Sequence, residues 1–380
     1  MTNEPRAKAW VLLGLCIAGS IGILWQGFTY GSRLEAATAE NALNRPLKVG
    51  IVSWPGYAGG IAANKGFRPN QNSVYWAKYH QQLEFVLAED TDVRAKAFAR
   101  GDFDIVWTTV DFWANELPGF LQGGVPAKVI MQVDWSRGGD AIVVDQSITR
   151  IEDLKGRRIA LAWLTPSQWL LENALARSKL SEDEVAELMK TVAGKDSVGD
   201  ARIDFVSGKV DAAVVWEPDI TAALRERPGS HLLLTSKADG FDHLLADCMV
   251  AREDFITKNP EAIRAFVNGW LDGTQVANND HPLVVRLLME NEPMYRDLGE
   301  EQTRAGLATV KWADLNDNIE MFGLDGRKAV FDKLFSEAGK LWQKRGIIKK
   351  AVAPGEAVDL RFLKEIYRSQ RSYGRKLVTG

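Results

Sequence analysis

Five short apolar runs, each closed by a Trp, constrain this chain more than any other feature. They are Lys48–Ser53 then Trp54, Phe103–Val106 then Trp107, Lys128–Asp134 then Trp135, Arg158–Ala162 then Trp163, and Asp211–Val215 then Trp216. Each run is rich in Val, Ile, Ala or Phe and short enough for a buried strand. Turn-opening or helix-opening residues follow: Pro55 and Gly56, Thr108 and Thr109, Ser136 to Gly139, Thr165 and Pro166, and Glu217 to Asp219. Helical spacing fills the gaps, near Thr91–Arg100, Val110–Glu116, Pro166–Arg177 and Val198–Val206. Strands alternating with helices predict α/β architecture with mainly parallel sheets covered on both faces. Such sheets bind ligands at the carboxyl ends of their strands. A Trp at each end predicts a concave, aromatic-lined site. The competing reading is that these rings only plug the rim of a core.

A chain of 380 residues suits two domains. A faint internal repeat agrees. Arg100-Gly101-Asp102-Phe103-Asp104 leads to Trp107, and Ser207-Gly208-Lys209-Val210-Asp211 leads to Trp216. Both read as a helix end, a Gly stop, an Asp-led strand, then Trp and a polar turn. After about Leu244 the pattern becomes mostly helical, clearest over Pro260–Val276 and Arg327–Arg345. A net charge of −3 argues against a nucleic-acid-binding body. Cys16 and Cys248 are too differently placed to suggest a disulfide, and no Cys/His spacing reads as a metal site.

The N-terminus carries its own signal. No charged residue occurs from Ala9 to Ser32, and Arg6 and Lys8 precede that stretch. A helix crossing a bilayer needs ~20 apolar residues, and flanking basic residues stay in the cytoplasm. Residues 1–33 therefore read as a membrane anchor or a signal segment, with the uncleaved anchor the better fit. Gly14, Ala18 and Gly22 lie on one face of that helix, a pattern that packs membrane helices together. Residues 34–45 read as a polar linker, which puts the rest of the chain outside the cytoplasm.

Several turns carry residues suited to binding. Thr165, Pro166, Ser167 and Gln168 open a helix, and helix N-termini favour anions. Thr108 and Thr109 make a weaker site of the same kind. Arg137 can pair bidentately with a sulfonate, phosphate or carboxylate, or neutralise Asp134 or Asp140. Glu217 and Asp219 beside Trp216 suit a cationic group, or simply cap the next helix. Together they predict an anionic or zwitterionic ligand. No nucleophile elbow, phosphate loop, dinucleotide fingerprint or metal motif appears, so the chain reads as a non-enzyme without cofactors.

Five motifs occur in order: SWPGYAGG at Ser53–Gly60, GDFDIVW at Gly101–Trp107, DWSRGGDAIVV at Asp134–Val144, IEDLKGRRIA at Ile151–Ala160 and DAAVVWEPD at Asp211–Asp219. Over roughly residues 46–275 the chain resembles the solute-binding proteins of nitrate/taurine/sulfonate-type ABC importers, related to thiamine-pyrimidine-binding proteins. The resemblance implies a two-lobed type II periplasmic-binding fold, here with an N-terminal transmembrane helix and a helical C-terminal extension. Residues 46–137 and 239–345 would form one lobe and 138–238 the other, with 346–380 a basic tail. The matching turns would line the ligand site through Trp54, Tyr57, Trp107, Thr108, Thr109, Trp135, Ser136, Arg137, Thr165, Ser167, Trp216 and Glu217. The implied partners are a small-molecule ligand and an ABC importer permease or another envelope membrane protein. The body would face the periplasm from the inner membrane, held by residues 9–30. A ligand sensor or envelope scaffold built on the same fold is the alternative. The tail holds eight Lys or Arg against three acids, and Asp359–Arg371 reads as an amphipathic helix.

Overall fold

The computed structural model describes residues 43–379. Its eleven strands are β1 (Leu47–Ile51), β2 (Leu83–Leu87), β3 (Ile105–Thr109), β4 (Ala127–Ser136), β5 (Asp140–Val144), β6 (Ile159–Ala162), β7 (Val192–Lys195), β8 (Ala212–Trp216), β9 (His231–Thr235), β10 (Ala246–Arg252) and β11 (Val310–Trp312). They form two sheets, one ordered β11-β4-β10-β3-β1-β2 and the other β7-β6-β8-β5-β9. Helices cover both sheets, and this is the two-lobed α/β architecture expected.

Each sheet is mixed rather than mainly parallel. β1 runs parallel to β2 and β3, and β6 runs parallel to β7 and β8. β10 is antiparallel to both β3 and β4, and β5 is antiparallel to β8 and β9. The connectivity explains this. The chain leaves the first sheet after β4 and enters the second directly at β5. It returns from β9 into β10 beside that crossing. A strand entered from the shared rim runs against those that end there.

The two crossings lock to each other. Ser136 and Ser236 share a hydroxyl hydrogen bond of 2.7 Å. The Gly138 amide donates to Ser236 Oγ at 2.8 Å, and the Ser136 amide donates to the Leu245 carbonyl at 3.1 Å. Two adjacent short connections between rigid lobes are the usual form of a hinge.

The internal repeat is a structural device used twice. Gly101 and Gly208 close their helices with φ of 88° and 74°, a conformation Gly adopts at little cost. Asp104 then accepts from the Lys48 amide of β1 at 3.0 Å and binds Arg45 through both oxygens. Asp211 accepts from the Arg158 amide at 2.9 Å and binds the Arg158 guanidinium through both oxygens. Each lobe thus clips its Asp-led strand to the neighbouring parallel strand, which brings Trp107 and Trp216 to equivalent rims.

Beyond β9 the chain is helical as expected, with two exceptions. β10 fills the centre of the first sheet with six buried residues, and β11 forms its edge. The Pro260–Asn279 helix lies against Ala58–Asn64 at glycines. A Cβ on Gly273 would stand 2.0 Å from the Gly59 carbonyl oxygen. The Val330–Lys344 helix buries Phe331, Leu334, Phe335, Ala338 and Trp342, the face its spacing predicts. The C-terminal helix spans Arg361–Thr379 and docks by its first turn, with Phe362 and Leu363 fully buried and Glu365 accepting from Arg264 at 3.0 Å. Among the described residues no helix is long and apolar enough to cross a membrane. The anchor expected over residues 9–30 lies outside them.

Candidate functional site

A narrow slot opens where the two sheets' rims meet. Val52, Trp54, Tyr57, Trp107, Thr109 and Asp247 line it from the first lobe, and Asp140, Pro166 and Trp216 from the second. The strand pattern dictates this set. Trp107 lies midway along β3, Trp216 ends β8, and Trp54 follows β1. Asp140 and Asp247 start antiparallel strands, so they reach the same rim from the opposite direction. Register confirms it: Asp140 lies opposite Trp216, and Asp247 opposite both Thr109 and Asp134. Residues opposed across strands point to one face.

The lobes are closed on this slot. The Trp107 and Trp216 rings meet edge-on across it, with centroids 6.1 Å apart. About 10 Å³ remains in which the centre of a water molecule can move, roughly enough for one. Other contacts also bridge the lobes. Asn115 donates to the Leu164 carbonyl at 3.0 Å, and Arg225 to the Asp297 carbonyl at 3.0 Å. Trp342 packs on Trp169 at 6.0 Å, and Arg345 pairs with the buried Glu172 at 2.9 Å. Passage of anything larger than water therefore requires the hinge to open.

Acids dominate the walls. Tyr57 donates to Asp247 at 2.7 Å, and the Trp54 indole donates to Asp134 at 2.8 Å. Burial pushes Asp140 up to about 7, with the Ser136 hydroxyl opposing and the Glu217 charge adding. Burial does the same to Asp111 and Glu217, each to about 7. Asp247 and Asp134 are also raised by burial, Asp247 further by the Asp134 charge. Desolvation outweighs hydrogen bonding at each, so Asp140, Asp111 and Glu217 are poised to gain or lose protons near neutrality. Arg94 stands behind the slot. Its guanidinium lies 5.1 Å from the Trp107 ring centre and pairs with Glu116.

Of the residues expected to line the site, Trp54, Tyr57, Trp107, Thr109 and Trp216 come together in the slot. Thr165 and Ser167 flank Pro166 but are committed elsewhere. Thr165 donates to the Ala162 carbonyl at 2.7 Å and accepts from the Ser167 amide at 3.3 Å. Glu217 lies beside Trp216 and accepts from Thr221 at 2.9 Å. Thr108 is buried behind the rim, 3.4 Å from Glu116, and Ser136 belongs to the hinge. Trp135 points away from the slot, because it alternates with Asp134 along β4. Its ring packs on His243 at 5.2 Å. Arg137 is tied to Asp242 at 2.9 Å, and so neutralises neither Asp134 nor Asp140. Trp163 is 38% exposed beside a wider groove of about 380 Å³, shared with Phe112, Asn115, Phe120 and Leu164. Thr91, Asp92, Lys96 and Glu116 also line that groove, all from the first lobe. Val52, Asp140, Pro166 and Asp247 are the lining residues that sequence reasoning missed.

Two lobes, a pair of crossings between them and a slot at the strand ends make up the architecture. Comparison with known proteins points the same way. Residues 122–282 match the NMT1/THI5 like family model. The taurine-binding periplasmic protein of Escherichia coli (strain K12) is 28% identical over 212 residues, covering 55% of this chain and 59% of that protein. The match thus spans less than two thirds of that relative. The alkanesulfonate-binding protein SsuA from Xanthomonas axonopodis pv. citri, solved with MOPS, superimposes with a TM-score of 0.63 at 18% identity, over 83% of this chain and 98% of its own. The aliphatic sulphonate binding protein SsuA from Escherichia coli gives 0.62 at 18%, with the same coverage. The resemblance carried by the five motifs therefore holds, and the fold is that of periplasmic binding proteins. By their names these relatives bind taurine and sulfonates.

Proposed function

We propose that this chain is an extracytoplasmic solute-binding protein that captures a small ligand between its lobes and delivers it to an ABC importer. The observation that carries the reading is the aromatic slot at the joint of the lobes, built from residues of both and closed by Trp107 against Trp216. Ligands of such folds bind at strand ends in the crevice between lobes. The uncharged segment Ala9–Ser32 would tether the body to the inner membrane, facing the periplasm. Transport at a membrane needs a receptor that opens and closes, and the paired crossings at Ser136 and Ser236 supply the hinge.

Thermal unfolding of the full-length protein in mild detergent, screened against small organic ions of both charges, tests this. A ligand at 100 times its Kd adds ~2.7 kcal/mol of stability. A ligand that raises the unfolding temperature and is taken up by cells only when this protein is present supports the reading. A ligand that binds with no effect on uptake would favour a sensor or scaffold instead.

A further inference from the structure

The C-terminal helix Arg361–Thr379 is docked along one side only. Phe362 and Leu363 are fully buried, and Ile366 and Tyr367 are half-buried against the core. At about 100° per residue, Arg361, Lys364, Arg368 and Arg371 fall within about 80° of arc on the other side. All four are exposed. Arg361 pairs with Asp359 at 2.7 Å. Lys364, Arg368 and Arg371 make no ion pair among the described residues. Residues 361–380 hold six Lys or Arg against one acid, Glu365, and Glu365 is turned to Arg264. A face kept only for solubility mixes both signs. This one carries a single sign, in a chain whose net charge is −3.

The root of this helix shares a rim with the point where the N-terminal segment joins the body. β1 begins at Leu47, and Arg45, just before it, binds Asp104 at the entrance to β3. β4 runs the same way as β3, since β10 is antiparallel to both. Near the start of β4 the Val129 amide donates to the Ala357 carbonyl at 2.9 Å, and the Asp359 amide to the Val129 carbonyl at 2.8 Å. Both roots therefore meet the first sheet at the edge remote from the slot. In the strand order β4 and β1 are three spacings apart, about 14 Å. Linker residues 34–45 span at most ~43 Å, so a bilayer holding residues 9–30 lies within reach of that rim.

Resting on the membrane-tethered reading above, we propose that the basic face of Arg361–Arg371 docks on anionic phospholipid headgroups, parking the first lobe on the bilayer with the slot facing away. Guanidinium and ammonium groups pair with lipid phosphates at the surface, where the stripe keeps its water. The slot and the second lobe then stand towards the solute, and the body lifts off before the slot meets a permease. The contact is reversible. Each charge removed shifts the docked population about fivefold, and salt screens the attraction.

Energy transfer from a dye on the exposed Ser369→Cys to headgroup-labelled lipid, with the full-length protein in nanodiscs, tests this. Cys16→Ser removes a competing thiol, and Cys248 is buried. We expect transfer to rise when phosphatidylglycerol replaces part of the phosphatidylcholine, and to fall back at high salt. Lys364→Gln with Arg368→Gln and Arg371→Gln should weaken docking about a hundredfold and remove the rise. Lys179→Gln with Lys190→Gln and Lys209→Gln, at exposed second-lobe positions, should leave the rise intact. Equal transfer in the two lipids, or a rise that survives the three substitutions on the helix, overturns the docking. Co-elution with discs reads the tether separately. Protein that co-elutes with phosphatidylcholine discs but shows no lipid-dependent transfer overturns the docking and leaves the tether standing. Protein that does not co-elute with them overturns the tether, and the parked posture with it.

Discussion

Gly139→Ala should open the lobes. Gly139 lies in the crossing between β4 and β5. A Cβ there would stand 2.4 Å from the Trp54 ring edge and 3.1 Å from Thr309 Oγ1. Ordinary carbon contacts lie near 3.5–4.0 Å, so the ring or the lobe must move by about 1 Å. Trp54 cannot swing freely, because its indole is held by Asp134 at 2.8 Å. Overpacking of this kind costs about 1–3 kcal/mol. The cost falls on the closed form, in which Trp54 covers Gly139. At ~1.4 kcal/mol per decade, the closed-to-open ratio falls about 5- to 150-fold. Ligand affinity falls by up to the same factor, since only the closed form binds productively. Small-angle scattering should show a larger radius of gyration without ligand, and calorimetry a weaker Kd. Gly119→Ala is the control, since a Cβ there meets nothing within 4 Å. An unchanged radius and an unchanged Kd in Gly139→Ala would refute the closure argument.

Three further outcomes follow from the same geometry. Asp140 has a folded pKa raised from 3.8 to about 7, so its contribution to stability is present at low pH and lost as pH rises towards 7. That loss is on the order of 4 kcal/mol at most, and Asp140→Asn should flatten the fall in unfolding temperature between about pH 4 and 7. Gly273→Ala should destabilise the first lobe by about 1–3 kcal/mol, because the added methyl meets the Gly59 carbonyl oxygen at 2.0 Å; an unfolding temperature at or above wild type would contradict the packing. Arg345→Ala strands the buried Glu172 and should cost about 3–5 kcal/mol, with Glu172→Gln in the same protein restoring most of it; equal stabilities of the single and double variants would refute the pairing.

Much of the scaffold is legible in the chain because it depends on local signals. The Trp-capped runs are strands, and the two Gly-Asp units mark equivalent positions in the two lobes. What escapes is what long-range pairing decides. β10, with the sequence ADCMVAR, has no strand signature, and becomes one because β3 and β4 leave a gap between them. Asp247 escapes with it, and so does the acidic character of the site. Trp163 follows a strand like the others, yet stays exposed. Its strand pairs with β7, where Gly194 offers a bare shelf, and the Trp163 ring begins 3.5 Å from where a Cβ would stand. Arg137 looked suited to an anion from its neighbours in sequence. Asp242, more than a hundred residues away, claims it.

The central claim is that ligand lies in the slot between the lobes, not in the wider groove beside Trp163. A crystal structure of the protein grown with a ligand that raises its unfolding temperature tests this directly. The account predicts ligand density between the Trp107 and Trp216 rings, within hydrogen-bonding distance of Asp140 or Asp247. Density in the groove formed by Phe112, Phe120 and Trp163, with the slot unchanged, would contradict it.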